Sequence, residues 1–163
     1  SIGGGKLSAY RAMAERIVDK VVSQGQFTVK ACVTGNEPLP GGDAVVEPDR
    51  YTELSSVSSE RLCRLYGNEV DAVVTDGGDV GAEVRRAVYA EGAVRLEDYW
   101  ARRSSRAYFD RGAGIGILTE AAGEMAGLLG WTAERQAEEI GNCISIDQQS
   151  RSAFQSTKSE GVK

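Results

Sequence analysis

All three prolines of this 163-residue chain fall between Gln26 and Asp49, in the stretch QFTVKACVTGNEPLPGGDAVVEPD. Proline has no backbone donor for a helix interior and fixes φ, so the Pro38, Pro40, Gly41, Gly42 cluster must form turns or extended structure. The stretch reads as a linker over 26–49. It separates a short leading segment, 1–25, from a proline-free body over 50–146 and a polar tail over 147–163.

In the leading segment Tyr10, Met13, Ala14, Ile17 and Val21 recur at helical spacing, while Arg11, Glu15, Arg16 and Lys20 take the opposite side. Gly25 stands where such a helix ends. A helix over 8–24 is expected. Ahead of it the chain opens Ser-Ile-Gly-Gly-Gly-Lys, without a methionine and as though a strand had just ended, so a piece of a longer polypeptide is expected.

The body repeats the helical pattern with glycines between the repeats. Ser58 or Ser59 can cap a helix presenting Leu62, Leu65 and Tyr66 before Gly67, and Asn68 can cap the short EVDAVV. Asp79 can cap a helix lined by Val80, Val84, Ala87 and Val88. Leu96, Tyr99 and Trp100 form a further face, with Glu97 and Asp98 near its start and Arg102 and Arg103 near its end, the charge order that suits a helix dipole. Leu118, Ala122, Met125, Ala126 and Leu129 lead to Gly130, and Thr132 can cap a last helix carrying Ala133, Ala137, Ile140 and Ile144. No alternating strand pattern competes. The expected fold is all-α, a small orthogonal bundle of about five or six helices preceded by one extra helix, with a frayed tail from Asp147.

The net charge of -5 argues against a surface that tracks nucleic-acid phosphates. No run of apolar residues is long enough to span a bilayer, and no signal peptide opens the chain, so a soluble, cytoplasmic protein is expected. Cys32, Cys63 and Cys143 show no zinc-ligand spacing, and reduced thiols are the expectation. Histidine is absent, which removes the commonest general base and metal ligand.

Three features could carry chemistry. GGGKLS comes close to a phosphate loop, but Leu7 intervenes where that loop needs Ser or Thr, so a nucleoside-triphosphate site is not expected. What survives is a glycine loop at a helix N-terminus with Lys6 adding positive charge, an arrangement that suits an anion and equally suits a plain turn into a helix. Arg102, Arg103 and Arg106 could bind phosphate, although a solvated helix end explains them as well. Tyr89, Tyr99, Trp100, Tyr108 and Trp131 fit a core better than a ligand box.

Five segments, in order, resemble one known family. GGKLSAYRAMAERIVDKV is similar to the GGKLTTYR-type segment near the end of the flavin domain of FAD-dependent glycerol-3-phosphate dehydrogenases and glycerol-3-phosphate oxidases. PLPGG, LCRLYGNE, AEVRRAVYAEGAVRLEDYWARR and LGWTAERQAEEI resemble the linker and helical C-terminal domain of the same family. The likeness runs to about Ile140. Ser8 and Ala9 replace the family's two threonines, and Ser104, Ser105 and Arg106 depart from the Thr-Arg that commonly follows its arginine pair.

The resemblance implies that residues 1–25 are the last piece of an FAD-binding domain whose dinucleotide fingerprint lies upstream. It implies that Gly4, Gly5, Lys6, Leu7 and Ser8 contact the cofactor, with Lys6 also reaching the substrate phosphate, and that no catalytic residue lies in this chain. The intact enzyme would oxidise sn-glycerol 3-phosphate to dihydroxyacetone phosphate and pass electrons from FAD to quinone, or to oxygen in the oxidase branch. The expected partners are the upstream FAD-binding domain, with a homodimer and a peripheral contact on the inner face of the cytoplasmic membrane as further arrangements open to it. By itself the chain is expected to bind no FAD and to be inert. A free-standing helical interaction module is the alternative.

Overall fold

The computed structural model describes residues 6–25 and 27–160, and among them the chain is all-α, with seven α-helices and no strand. A 3-10 turn over Leu7–Ala9 leads into α1, Tyr10–Gln24, so the regular helix starts two residues later than the pattern predicts. The linker follows without regular structure until a 3-10 turn at Pro48–Arg50. Six helices come after it: α2, Ser56–Tyr66; α3, Val70–Thr75; α4, Val80–Tyr89; α5, Arg106–Phe109; α6, Leu118–Leu129; and α7, Ala133–Glu160.

The caps explain where these helices start. Asp79 accepts a hydrogen bond from the Ala82 amide at 2.8 Å, and Thr132 Oγ1 accepts from the Arg135 amide at 3.2 Å, as the sequence predicts. The α2 cap is Ser55, whose Oγ accepts from the Ser58 amide at 3.2 Å, rather than Ser58 or Ser59. Asn68 does not cap α3; it lies in a 3-10 turn, Gly67–Glu69, that runs straight into that helix.

Two apolar clusters share the body. Tyr51, Leu62, Cys63, Tyr66, Val70 and Val73 bury one between α2 and α3. The larger lies where α4 packs on α6 and α6 on α7, and includes Leu96, Tyr99, Trp100, Leu118, Met125 and Cys143. The segment that carries Tyr99 and Trp100 is a π-helical turn, Asp98–Arg103, and not a regular α-helix. Gly112, Ala113 and Gly114 then all take left-handed dihedrals, which turns the chain back so that Trp100 Nε1 donates to the Ala113 carbonyl at 2.7 Å.

α7 continues to Glu160, so residues 147–160, expected to be frayed, are helical. Neither glycine nor proline interrupts residues 142–160, and an Arg151–Asp147 pair at 2.7 Å supports the exposed side one turn apart. No helix among the described residues is long and apolar enough to cross a membrane.

Candidate functional site

Gly4 and Gly5, two of the five residues expected at a cofactor, lie outside the described residues. Lys6 is exposed, with an extended backbone at φ −78° and ψ 147°, and its carbonyl accepts from the Ala9 amide at 2.9 Å. It makes no ion pair with another described residue. Leu7 is 88% exposed, and Ser8 is also exposed. No side chain caps either the 3-10 turn or α1; the Ala9 and Tyr10 amides donate to the Lys6 and Leu7 carbonyls, which leaves the amides that open the turn and the exposed Lys6 as the positive groups at this end. That donor set suits a negatively charged ligand.

Beside this end lies a groove of about 1100 Å³ between α1 and the linker. Tyr10, Ala14, Val18 and Val22 line it from α1, and Val29 and Leu39 from the linker. No residue of α1 is buried, although its apolar positions follow the predicted helical spacing. Arg11 at the rim is held by Glu15 at 3.0 Å and by Thr34 Oγ1 at 3.4 Å.

The arginine cluster does not come together. Arg102 is spent on Glu97 at 2.6 Å and Asp98 at 2.9 Å, the helix-end pairing that charge order alone suggests. Arg106 turns inward to Glu83 at 2.8 Å and Asp110 at 2.7 Å. The aromatic set divides as well. Tyr99 and Trp100 are core, whereas Tyr89 and Tyr108 are each 74% exposed, because both fall outside the faces that α4 and α5 turn to the body.

Two buried carboxylates escaped the sequence reading. Glu83, 1% exposed, is clamped by Arg61 through two 2.7 Å contacts and by Arg106, which ties α2, α4 and α5 together. Arg61 also donates to the Ser104 carbonyl at 3.3 Å. Glu139, fully buried on α7, accepts from the Leu96 amide at 3.0 Å and pairs with Arg95 at 3.4 Å and with Arg135. A signal for both exists in the pattern: Glu83 falls between Val80 and Val84 and Glu139 beside Ile140, each on an apolar face. Burial pushes the nearby Tyr99 phenol above its ordinary value, and burial with Glu139 pushes the Cys143 thiol up to about 12. These groups hold the fold and have no access to a substrate.

Residues 32–136 match the family described as the C-terminal domain of alpha-glycerophosphate oxidase. Similar proteins include a probable mitochondrial glycerol-3-phosphate dehydrogenase of Dictyostelium discoideum, 32% identical over 87% of this chain and 25% of that protein. A glycerol-3-phosphate dehydrogenase of Synechocystis is 29% identical over 86% of this chain and 29% of its own length. An aerobic glycerol-3-phosphate dehydrogenase of Staphylococcus haemolyticus is 28% identical over 85% and 30%. The chain thus spans between a quarter and a third of each of these relatives. No solved structure matches it significantly.

Proposed function

The chain belongs to the family of the C-terminal domain of alpha-glycerophosphate oxidase, and on that premise we propose that it is the helical C-terminal part of an FAD-dependent glycerol-3-phosphate dehydrogenase. The observation that supports this best is its likeness, over 85–87% of its length, to relatives three to four times as long. The intact enzyme oxidises sn-glycerol 3-phosphate at C2 to dihydroxyacetone phosphate and delivers the electrons to quinone. When bound, FAD supplies the hydride acceptor. The hydroxyl proton goes to a base in the remainder of the enzyme, where the resemblance puts the catalytic residues; this chain has no histidine.

Within this chain Lys6, Leu7 and Ser8, following Gly4 and Gly5, form the edge of the cofactor and substrate site. The uncapped first turn and the Lys6 ammonium present partial and full positive charge, the chemistry that holds an anionic cofactor ring or a substrate phosphate. The helical body contributes packing and takes no part in proton or electron transfer. The assembled protein works in the cytoplasm, with a peripheral contact to the membrane that carries its quinone.

Steady-state assays of the intact protein with glycerol 3-phosphate, using either a quinone analogue or oxygen as acceptor, test this. Turnover with the quinone is the expected result. An intact protein that neither binds FAD nor oxidises glycerol 3-phosphate overturns it, as does turnover by the 163-residue chain unaided.

A further inference from the structure

α1 is a helix without a core. Its apolar side chains span a wide arc, with Met13, Ile17 and Val21 on one flank and Ala14, Val18 and Val22 on the other, yet Tyr10, Val18 and Val21 stay 66%, 59% and 55% exposed. Tyr10, Ala14, Val18 and Val22 face the groove, while on the other flank Val21 is exposed and Met13 and Ile17 are half-buried. An amphipathic helix gains most of its stability from burying such an arc, so a surface is missing over it.

The groove also has a sign. The carboxylates at its edges outnumber the cations: Glu15, Asp19, Glu37, Asp43 and Glu69 against Arg11 and Lys30. Arg11 is held by Glu15, and Glu69 is taken by Arg86. Asp19 and Glu37 make no ion pair with another described residue, and Asp43 receives only a 3.5 Å contact from Asn68.

From this we infer that the groove between α1 and the linker seats an apolar ridge flanked by Lys or Arg, presented by the larger part of the same enzyme. This rests on the proposed function for the existence of that larger part, which the length of the relatives supports. The charge of the seat is new. Apolar contact over Tyr10, Val18 and Leu39 supplies the affinity, and Asp19 and Glu37 on the two sides of the groove fix orientation and reject an acidic surface.

The test compares the intact enzyme with the 163-residue chain by hydrogen exchange at residues 10–24 and by thermal unfolding. Exchange in α1 is expected to be at least tenfold slower in the intact enzyme. Joint Asp19→Lys and Glu37→Lys substitution is expected to remove most of that protection and lower the Tm of the intact enzyme, while the Tm of the chain alone stays put. Equal exchange in both forms overturns the inference, and so does protection that the double reversal leaves intact. Concentration-dependent dimers of the chain alone that already protect α1, and that Val18→Asp abolishes, assign the seat to a second copy and also overturn it. None of these readouts uses turnover, so a protected α1 in a protein inert toward glycerol 3-phosphate refutes the proposed function and leaves the seat standing.

Discussion

Arg61 grips Glu83 end-on, Nη1 to Oε1 and Nη2 to Oε2, each at 2.7 Å, and the Glu83 side chain is only 2% exposed. Arg106 completes the arrangement from the other side at 2.8 Å. Removing the charge leaves two half-sheltered guanidinium groups facing a neutral amide. Glu83→Gln is expected to cost about 3 kcal/mol, the low end for breaking a buried pair because Arg61 and Arg106 keep some access to water. Urea denaturation of the chain measures it, and a loss below about 1 kcal/mol would mean that water satisfies the arginines.

Gly67 ends α2 at φ +54°, and a Cβ there would run into the Gly41 carbonyl, which accepts from the Asn68 amide at 3.1 Å. The obstacle is backbone on both sides, so no rotamer change relieves it. Gly67→Ala is expected to cost at least about 2 kcal/mol through strain and collision together. It should also free the linker from the body, read as faster limited proteolysis at residues 38–43.

Much of this was legible beforehand. Asp79 and Thr132 lie immediately ahead of apolar runs and do cap them, because an acceptor side chain there meets amides that nothing else can satisfy. The α2 start was misplaced at Ser58 or Ser59, since Ser55 three residues earlier offers the same local chemistry and only the folded chain shows which serine meets the open amides. The π-helical turn was hidden because apolar spacing of three and four residues is shared by α and π geometry at that length. Ala113 in the left-handed region had no signal, because its cost is offset by the Trp100 hydrogen bond formed far away in sequence. At the candidate site, Lys6 and the helix behind it were visible as charge and periodicity, whereas the acidic groove needs the linker folded back against α1.

Alkaline pH should weaken the fold in a defined window. Burial, with Glu139 nearby, raises the Cys143 thiol from 9.0 to about 12, and burial with the hydrogen bond to Asp71 raises the Tyr51 phenol from 10.0 to about 12. Both groups are held protonated by folding, so their contribution is complete below pH 9 and is lost as the pH climbs toward 12. Denaturation midpoints recorded between pH 8 and 12 should fall accordingly. Tyr51→Phe should make the fall above pH 10 shallower without abolishing it, since Cys143 and Tyr99 are also held protonated there, and leave the onset near pH 9 in place.

In the intact enzyme Lys6→Ala is expected to lower kcat/KM for glycerol 3-phosphate about tenfold, a loss of roughly 1.4 kcal/mol in binding an anion. Lys6→Arg should recover most of it. Arg102→Ala should stay within about twofold, since Glu97 and Asp98 already occupy that guanidinium. Equal, near-native kinetics for the two alanine variants would remove Lys6 from the site.

The two apolar clusters of the body meet across a single ten-residue helix, α4, which gives Ala82 to one and Val84 and Ala87 to the other. α4 is a party wall. Neither room stands without it, so damage on one side is transmitted to the other as lost cooperativity, and mutations scattered from Tyr51 to Cys143 should unfold as one transition while α1, outside both rooms, opens on its own.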